Sequence, residues 1–151
     1  MYTIFAAFII SISALNLLAQ NANEWKDINK LGMRHYGEGD YEAAISDYTK
    51  LIELTSHINV RPNRGADPAS FSNDLLADKV TVLDPRTALA YVNRGRTFFA
   101  AGKPDDAIDD FNHALTISPA MSDAYFCRGF AWLSKNQYDL SIADFEKFIK
   151  L

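Results

Sequence analysis

An internal repeat is the feature of this 151-residue sequence that most restricts its fold. The segment Tyr91-Val-Asn-Arg-Gly95 returns as Tyr125-Phe-Cys-Arg-Gly129, and Asp110-Phe111 returns as Asp144-Phe145 at the same offset. A fixed period of a few tens of residues is typical of solenoids, in which similar units stack on one another. The sequence therefore predicts an array of repeated units.

The small residues of the repeat indicate that each unit is a pair of closely packed helices. Gly95 and Gly129 fall within helical patterns, where glycine costs about 1 kcal/mol relative to alanine. That cost is tolerable if a second helix approaches too closely for a side chain. Ala107 and Ser141 supply the matching small residue on the second helix.

Aromatic and turn residues recur with the same period. Gly102 and Asn136 stand where the first helix of each pair should end, and both residue types tolerate the left-handed conformation of a helix C-cap. Large rings are expected to fill the space between the two helices; they are Phe98, Trp132, Phe111 and Phe145.

These spacings resemble those of the tetratricopeptide (TPR) repeat, which has a period of about 34 residues. In one copy they read Tyr91-x2-Arg94-Gly95-x2-Phe98, then Ala107-x3-Phe111, then Pro119. The resemblance implies an all-α, right-handed α-solenoid of about three helix-turn-helix hairpins. It also implies a protein or peptide partner rather than catalysis.

A more diverged copy lies upstream, around Gly32 and Gly39-Asp40-Tyr41, with Ala44-Ile45 and Asp47-Tyr48 on its second helix. Gly32 is nearly twice as far from Gly95 as Gly95 is from Gly129, so a segment slightly shorter than one repeat has been inserted between the first two copies. The segments are then residues 24–56 (first repeat), 57–84 (insertion), 85–118 (second repeat) and 119–151 (third repeat). The insertion is expected to be a loop followed by a short amphipathic helix, with Phe71, Leu75, Leu76, Val80 and Leu83 at helical spacing.

The N-terminal segment is expected to direct export. No charged residue precedes Glu24, and residues 4–19 form an apolar stretch shorter than the roughly 20 residues that span a bilayer. Ala19 followed by Gln20 resembles the cleavage junction of exported proteins in some Gram-negative bacteria. Residues 1–19 are therefore predicted to be a signal peptide of a periplasmic or extracellular protein, or alternatively an uncleaved membrane anchor.

Charge and composition exclude several functions. The net charge of −4 and the lack of a basic stripe argue against nucleic acid as a partner. The three histidines lie in separate segments, so we expect no metal site, cofactor or catalytic residue and no enzymatic activity. The lone Cys127 is interpreted as a packing residue. The acidic cluster is interpreted as a solvated helix N-terminus; it comprises Asp105, Asp106, Asp109 and Asp110.

The resemblance places a partner-binding groove along the first helices of the repeats. Its predicted lining is Met33, Tyr36, Leu89, Val92, Asn93, Arg96, Phe99, Phe126, Phe130 and Leu133. With Asn93 and Arg96 as polar contacts, this apolar groove suits an extended peptide or a helix.

TPR domains that hold the acidic C-termini of cytosolic chaperones use lysine, asparagine and arginine at five groove positions. Those positions are here Asn29, Met33, Asn93, Asp123 and Cys127, of which Asn93 alone matches. The sequence therefore argues against that ligand.

The last helix carries an apolar stripe that a single hairpin cannot cover. An exposed patch is predicted around Phe148 and Leu151, because solenoids need a polar face where the array stops. The patch would be covered by a second copy of the protein, by a partner, or by sequence missing from a truncated chain. Self-association through the C-terminal helix, as a structural module, is thus the alternative to partner binding.

Overall fold

The computed structural model describes residues 23–56 and 84–151, which form six helices and no strand. Helix α1 covers residues 23–38, and the other helices follow in hairpin order. They are α2 (Tyr41–Ser56), α3 (Pro85–Ala100), α4 (Pro104–Ile117), α5 (Ser122–Ser134) and α6 (Tyr138–Lys150). Helices α2 to α5 each pack on the next helix in the chain, which confirms the predicted all-α solenoid.

Two predicted segments, residues 1–19 and nearly all of the insertion, lie outside the described residues. Asp84, the last residue assigned to the insertion, is the N-cap of α3, and Pro85 takes the first helical position, where proline's missing N–H is not needed. None of the helices within 23–56 and 84–151 is long and apolar enough to cross a membrane.

A glycine on the first helix of each hairpin meets a ring from the second helix. A Cβ added to Gly95 would lie 2.8 Å from Cε1 of Phe111, whose side chain is fully buried. The same contact recurs at Gly32 with Tyr48 (2.9 Å) and at Gly129 with Phe145 (2.7 Å). The predicted close approach is therefore confirmed, and it fixes how the two helices of each hairpin cross.

The turns between paired helices use the left-handed backbone conformation. Gly39, Gly102 and Asn136 have φ values of 79°, 75° and 58°. The prediction for Gly102 and Asn136 is confirmed, because glycine and asparagine are the residue types that adopt this conformation at lowest cost.

Alanines on α3 and α5 let successive hairpins approach each other. Ala90 and Ala124 are both fully buried. Ala90 packs in the core of the first hairpin with Tyr48 and Leu51, although it belongs to the second hairpin. One side of α3 and of α5 therefore faces the preceding hairpin.

Candidate peptide-binding groove

Buried ion pairs fix the first helices of the second and third hairpins. Arg94 donates from Nε and Nη2 to the two carboxylate oxygens of Asp110, at 2.9 and 2.8 Å. Arg128 makes the same bidentate pair with Asp144, at 2.8 and 2.6 Å. Bidentate pairing adds geometric specificity to the charge attraction, so each pair sets the rotation of α3 or α5 against its own hairpin.

The same arginines also reach the preceding hairpin. Nη1 of Arg94 donates to Oγ1 of Thr49 at 3.0 Å, and Nη1 of Arg128 donates to Oδ1 of Asn112 at 2.6 Å. Thr49 and Asn112 occupy equivalent positions in the first and second repeats. Each arginine therefore links its hairpin to the one before it.

The prediction that Asp110 belongs to a solvated acidic face is wrong. Asp110 is 4% exposed, whereas Asp105, Asp106 and Asp109 are exposed. The sequence contained a signal for this pairing, because Arg94 and Arg128 repeat with the same period as Asp110 and Asp144. The hydrogen bond to Asp110 raises the pKa of the Arg94 guanidinium, which keeps the arginine charged.

In the first hairpin, the buried aspartate has a different hydrogen-bond partner. Leu31 stands where the later repeats have arginine, and Nδ1 of His35 lies 2.8 Å from Oδ2 of Asp47 instead. His35 occupies the repeat position of Phe98 and Trp132, one turn along α1. All three hairpins thus have the aspartate, but in the first hairpin its partner lies one helical turn further along the first helix.

One part of the predicted groove forms a cavity between the first two hairpins. The cavity has a volume of about 270 Å³ and is lined by Met33, Tyr36, Tyr48, Asn93 and Arg96. Nδ2 of Asn93 donates to Oδ1 of Asn29 at 3.3 Å, which joins α3 to α1. Four predicted groove residues are therefore brought together here.

A second part is an aromatic cluster on the third hairpin. The ring of Phe126 lies 4.9 Å from that of Phe130 and 5.0 Å from that of Phe148, between centroids. Phe130 in turn packs edge-on against Phe145 at 5.2 Å. The three outer rings, Phe126, Phe130 and Phe148, remain 41%, 42% and 37% exposed.

Phe148 was predicted to lie on the exposed end of the array, and it is exposed, but its ring joins this cluster. The equivalent positions hold Leu51 and Ala114, which are both fully buried, whereas Phe148 is 37% exposed. Phenylalanine at this position was the sequence signal for the aromatic cluster on the third hairpin.

The remaining predicted groove residues divide between surface and core. Phe99 and Leu133 are exposed, and Leu89 is half-buried. Val92 corrects the prediction, because it is 2% exposed and belongs to the core cluster with Phe111 and Leu115. Its position is equivalent to that of Phe126, but the shorter side chain does not reach past its neighbours to the surface.

Arg96 is the cationic group of the groove. Burial raises the pKa of both the Tyr48 hydroxyl and the Cys127 thiol, and the positive charge of Arg96 partly opposes each shift. Arg96 is exposed, and none of the ion pairs within residues 23–56 and 84–151 includes it. Its guanidinium is therefore available to a carboxylate of a ligand.

No metal site accompanies this groove in the part of the chain that the structure describes. There, no group of three or more His, Cys, Asp or Glu side chains is placed to hold a metal ion. Cys127 is half-buried and its raised pKa keeps it in the thiol form, which is the less nucleophilic form of cysteine.

Comparison with known families identifies the repeat units. The tetratricopeptide repeat family matches residues 28–57 and residues 88–120. The chain thus carries tetratricopeptide repeats, and the third hairpin has the same glycine–phenylalanine contact and arginine–aspartate pair as the second.

Curated relatives contain similar segments within longer chains. The chain is 25% identical over 131 residues to human DnaJ homolog subfamily C member 7, covering 87% of this chain and 22% of the relative. It is 30% identical over 112 residues to small glutamine-rich tetratricopeptide repeat-containing protein 2 of Mycosarcoma maydis, covering 74% and 24%. The chain therefore spans about a quarter of the length of these relatives.

Solved structures share the fold. The second TPR of Spaghetti (RPAP3), bound to HSP90 peptide SRMEEVD, has a TM-score of 0.60 at 23% identity and covers 88% of this chain and 98% of that one. The Arabidopsis OM64 TPR domain has a TM-score of 0.62 at 22% identity, with coverage of 87% and 84%.

Proposed function

We propose that this protein binds a segment of a partner protein in the groove formed by α1, α3 and α5 together with Phe148 of α6, and that the segment carries apolar side chains and a carboxylate. The observation that carries this proposal is the exposed aromatic cluster of Phe126, Phe130 and Phe148. Burying one such side chain contributes about 1.5–3 kcal/mol, so a ligand that covers the cluster has an apolar anchor.

The polar end of the groove supports the carboxylate. Arg96 borders the cavity with Asn93, and none of the ion pairs among the described residues includes it. Charge-assisted hydrogen bonds to arginine are stronger than neutral ones. A peptide with aromatic or aliphatic residues and one acidic residue therefore matches both parts of the groove.

The HSP90 peptide of the structural neighbours is a poorer match. Of the five clamp positions, Met33 presents a thioether, Asp123 a negative charge, and Cys127 a half-buried thiol. Asn29 uses its amide to accept a hydrogen bond from Asn93 and to donate to the sulfur of Met33. This groove offers an acidic C-terminus fewer positive charges and more apolar surface.

A displayed library of random peptides tests the ligand chemistry. The unmodified protein should enrich peptides with apolar residues and an Asp or Glu, and the Arg96→Glu variant should enrich Lys or Arg instead. Arg34→Glu is the control, because Arg34 is exposed on α1 and lines no part of the cavity. Equal selections by all three proteins would contradict the role of Arg96.

Binding of an enriched peptide tests the aromatic cluster. Phe130→Ala should weaken binding about tenfold to a hundredfold, as expected for a central aromatic contact, with little change in melting temperature. Leu140→Ala, an equally exposed position on α6, should leave binding unchanged. A stability loss of about 3–5 kcal/mol from Phe130→Ala would show that Phe130 is a core residue. The proposed ligand would be contradicted if the labelled peptide SRMEEVD bound as tightly as the enriched peptide.

We also propose that the protein is exported, on the basis of the uncharged apolar segment of residues 1–19. N-terminal sequencing of the protein recovered from its producing cells should begin at Gln20 or within a few residues. An intact Met1 in the membrane fraction would support the anchor instead.

A further inference from the structure

The first hairpin carries a hydroxyl group that the packing of the hairpins does not require. Tyr48, Phe111 and Phe145 occupy the same repeat position, and each ring lies against the glycine on the first helix of its own hairpin. The two phenylalanines make this contact without a hydroxyl. The hydroxyl of Tyr48 is therefore an addition to the shared packing unit.

This hydroxyl has no hydrogen-bond partner in the described part of the chain. Tyr48 is 3% exposed, packs in a core cluster with Leu51 and Ala90, and lines the cavity between the first two hairpins. None of the hydrogen bonds within residues 23–56 and 84–151 involves its hydroxyl. A Cβ added to Gly32 would lie 2.9 Å from Cε1 and 3.0 Å from Cζ of the ring, so this contact fixes the ring and the hydroxyl that it carries.

The Tyr48 hydroxyl and the Arg96 guanidinium act at the same cavity. Burial raises the pKa of Tyr48, and the positive charge of Arg96 opposes only part of that rise, so the hydroxyl keeps its proton at neutral pH and can donate it. Arg96 belongs to none of the ion pairs among the described residues. Tyr48 comes from α2 and Arg96 from α3, so the two donors meet only where the first two hairpins stack.

We infer that the hydroxyl of Tyr48 and the guanidinium of Arg96 together bind one carboxylate of the ligand in this cavity, which makes Tyr48 a specificity-determining residue. The inference rests on the proposed function, because it concerns the carboxylate that Arg96 is proposed to bind. A carboxylate has two oxygens and accepts several hydrogen bonds, so it can pair with both donors. Tyr48 is held in place by its packing, and a preorganised donor adds affinity at a low entropic cost.

The charge of the cavity suits a carboxylate better than a phosphate. A phosphorylated side chain carries a charge of about −1.5 to −2, and it is normally bound by a cluster of arginines. Arg96 is the one cationic residue among the described residues that line the cavity, and the negative charge of Asp47 lies close enough to raise the pKa of Tyr48. One positive charge and one neutral donor match a ligand group with a single negative charge.

Binding of hexanoate, followed by nuclear magnetic resonance, tests the inference in the full chain. Hexanoate combines a carboxylate with an apolar chain that suits the side chains of Met33 and Tyr36 in the cavity. It should shift the Cζ resonance of Tyr48 in protein with isotopically labelled tyrosine, whereas the neutral hexanamide should not. Tyr48→Phe should raise the Kd for hexanoate about tenfold, as expected for the loss of a hydrogen bond to a charged group, without lowering the melting temperature.

Tyr125→Phe is the matched control. It also removes one hydroxyl, but this hydroxyl donates to the backbone oxygen of Pro119 and lies outside the cavity. This variant should bind hexanoate like the unmodified chain. The inference would be overturned if hexanoate did not bind, if hexanamide bound equally well, or if Tyr48→Phe left the Kd unchanged. Tighter binding of hexyl phosphate than of hexanoate would overturn the choice of a carboxylate.

The peptide most enriched in the display selection separates two sources of the carboxylate. If an acidic side chain supplies it, replacing that side chain by its amide should weaken binding. If the C-terminus supplies it, amidation of the C-terminus should weaken binding instead. In either case Tyr48→Phe should weaken binding of the carboxylate form and not of its amide. Weaker binding by Arg96→Glu together with unchanged binding by Tyr48→Phe would overturn this inference while the proposed function holds.

Discussion

At the scale of single residues, the three hairpins are defined by contacts that leave no room for an added atom. Gly95 and Gly129 do not supply flexibility, because both lie inside helices and neither has a positive φ. They supply space, which a ring from the partner helix fills. Close packing of this kind makes even one extra methyl group costly.

Gly95→Ala should therefore lower the free energy of unfolding by about 1–3 kcal/mol, since overpacking outweighs the gain in helix propensity. Gly37→Ala is the matched control, because an added Cβ there meets nothing within 4 Å and Gly37 is also helical. That change should stabilise the protein by up to about 1 kcal/mol. Urea unfolding of both variants measures the difference, and equal effects would contradict the packing argument.

Arg94→Leu tests the buried ion pair and copies the residue at the equivalent position, Leu31. Removing one partner of a buried pair costs about 3 kcal/mol or more. Burial raises the pKa of the Asp110 carboxyl and Arg94 opposes that shift, so without Arg94 the folded state holds a proton more readily than the unfolded state.

The loss in free energy of unfolding caused by Arg94→Leu should thus be smallest near pH 4. It should grow as pH rises through the raised pKa of Asp110. Urea unfolding at several pH values measures it. Adding Asp110→Asn should remove most of this pH dependence. A deficit that does not vary with pH would show that Asp110 regains a partner or reaches water.

At the scale of helices, the start of α3 is set by its cap. Oδ1 of Asp84 accepts a hydrogen bond from the backbone N–H of Arg86 at 2.8 Å, and Oδ2 accepts one from Nε of Arg86 at 2.8 Å. Burial alone would raise the pKa of Asp84, but the hydrogen bonds from the side chain and backbone of Arg86 outweigh it, and the pKa is lowered.

Asp84→Ala should cost about 1 kcal/mol at neutral pH, as for other N-cap residues. Because the folded pKa lies below the unfolded value of about 3.9, the contribution of Asp84 should be present above that value and be lost as pH falls through the folded pKa. Asp84→Asn keeps the acceptor and should keep most of the stability. Thermal unfolding at neutral pH and near pH 3 distinguishes the two variants.

The features that could be predicted from the sequence depend on residue types that few others can replace. Gly102 and Asn136 marked turns because few residue types adopt a positive φ, and the repeated glycines marked close helix contacts. Side-chain exposure was harder to predict, because Val92 and Phe126 share a repeat position but differ in length. Whether each reaches the surface depends on the surrounding side chains, which a spacing pattern does not specify.

At the scale of the whole molecule, the hairpins are coupled through one side of each first helix. Ala90 packs into the first hairpin's core, and Arg94 donates a hydrogen bond to Thr49 of the same hairpin. In a repeat array, stability is approximately the sum of the units and their nearest-neighbour interfaces. Breaking one interface should therefore affect the hairpins unequally.

Ala90→Asp gives α3 the residue that α1 has at the equivalent position, Asp27. Its carboxylate would be buried against Tyr48 and Leu51 and should cost about 3 kcal/mol or more. Hydrogen exchange should show that amides of α1 and α2 lose protection while those of α4, α5 and α6 keep most of theirs. The reverse change, Asp27→Ala, should have little effect, because Asp27 is exposed. If Ala90→Asp lowered protection uniformly in all the described helices, the array would unfold as one cooperative unit, and the interface between the first two hairpins would be too strong to separate from the hairpins themselves.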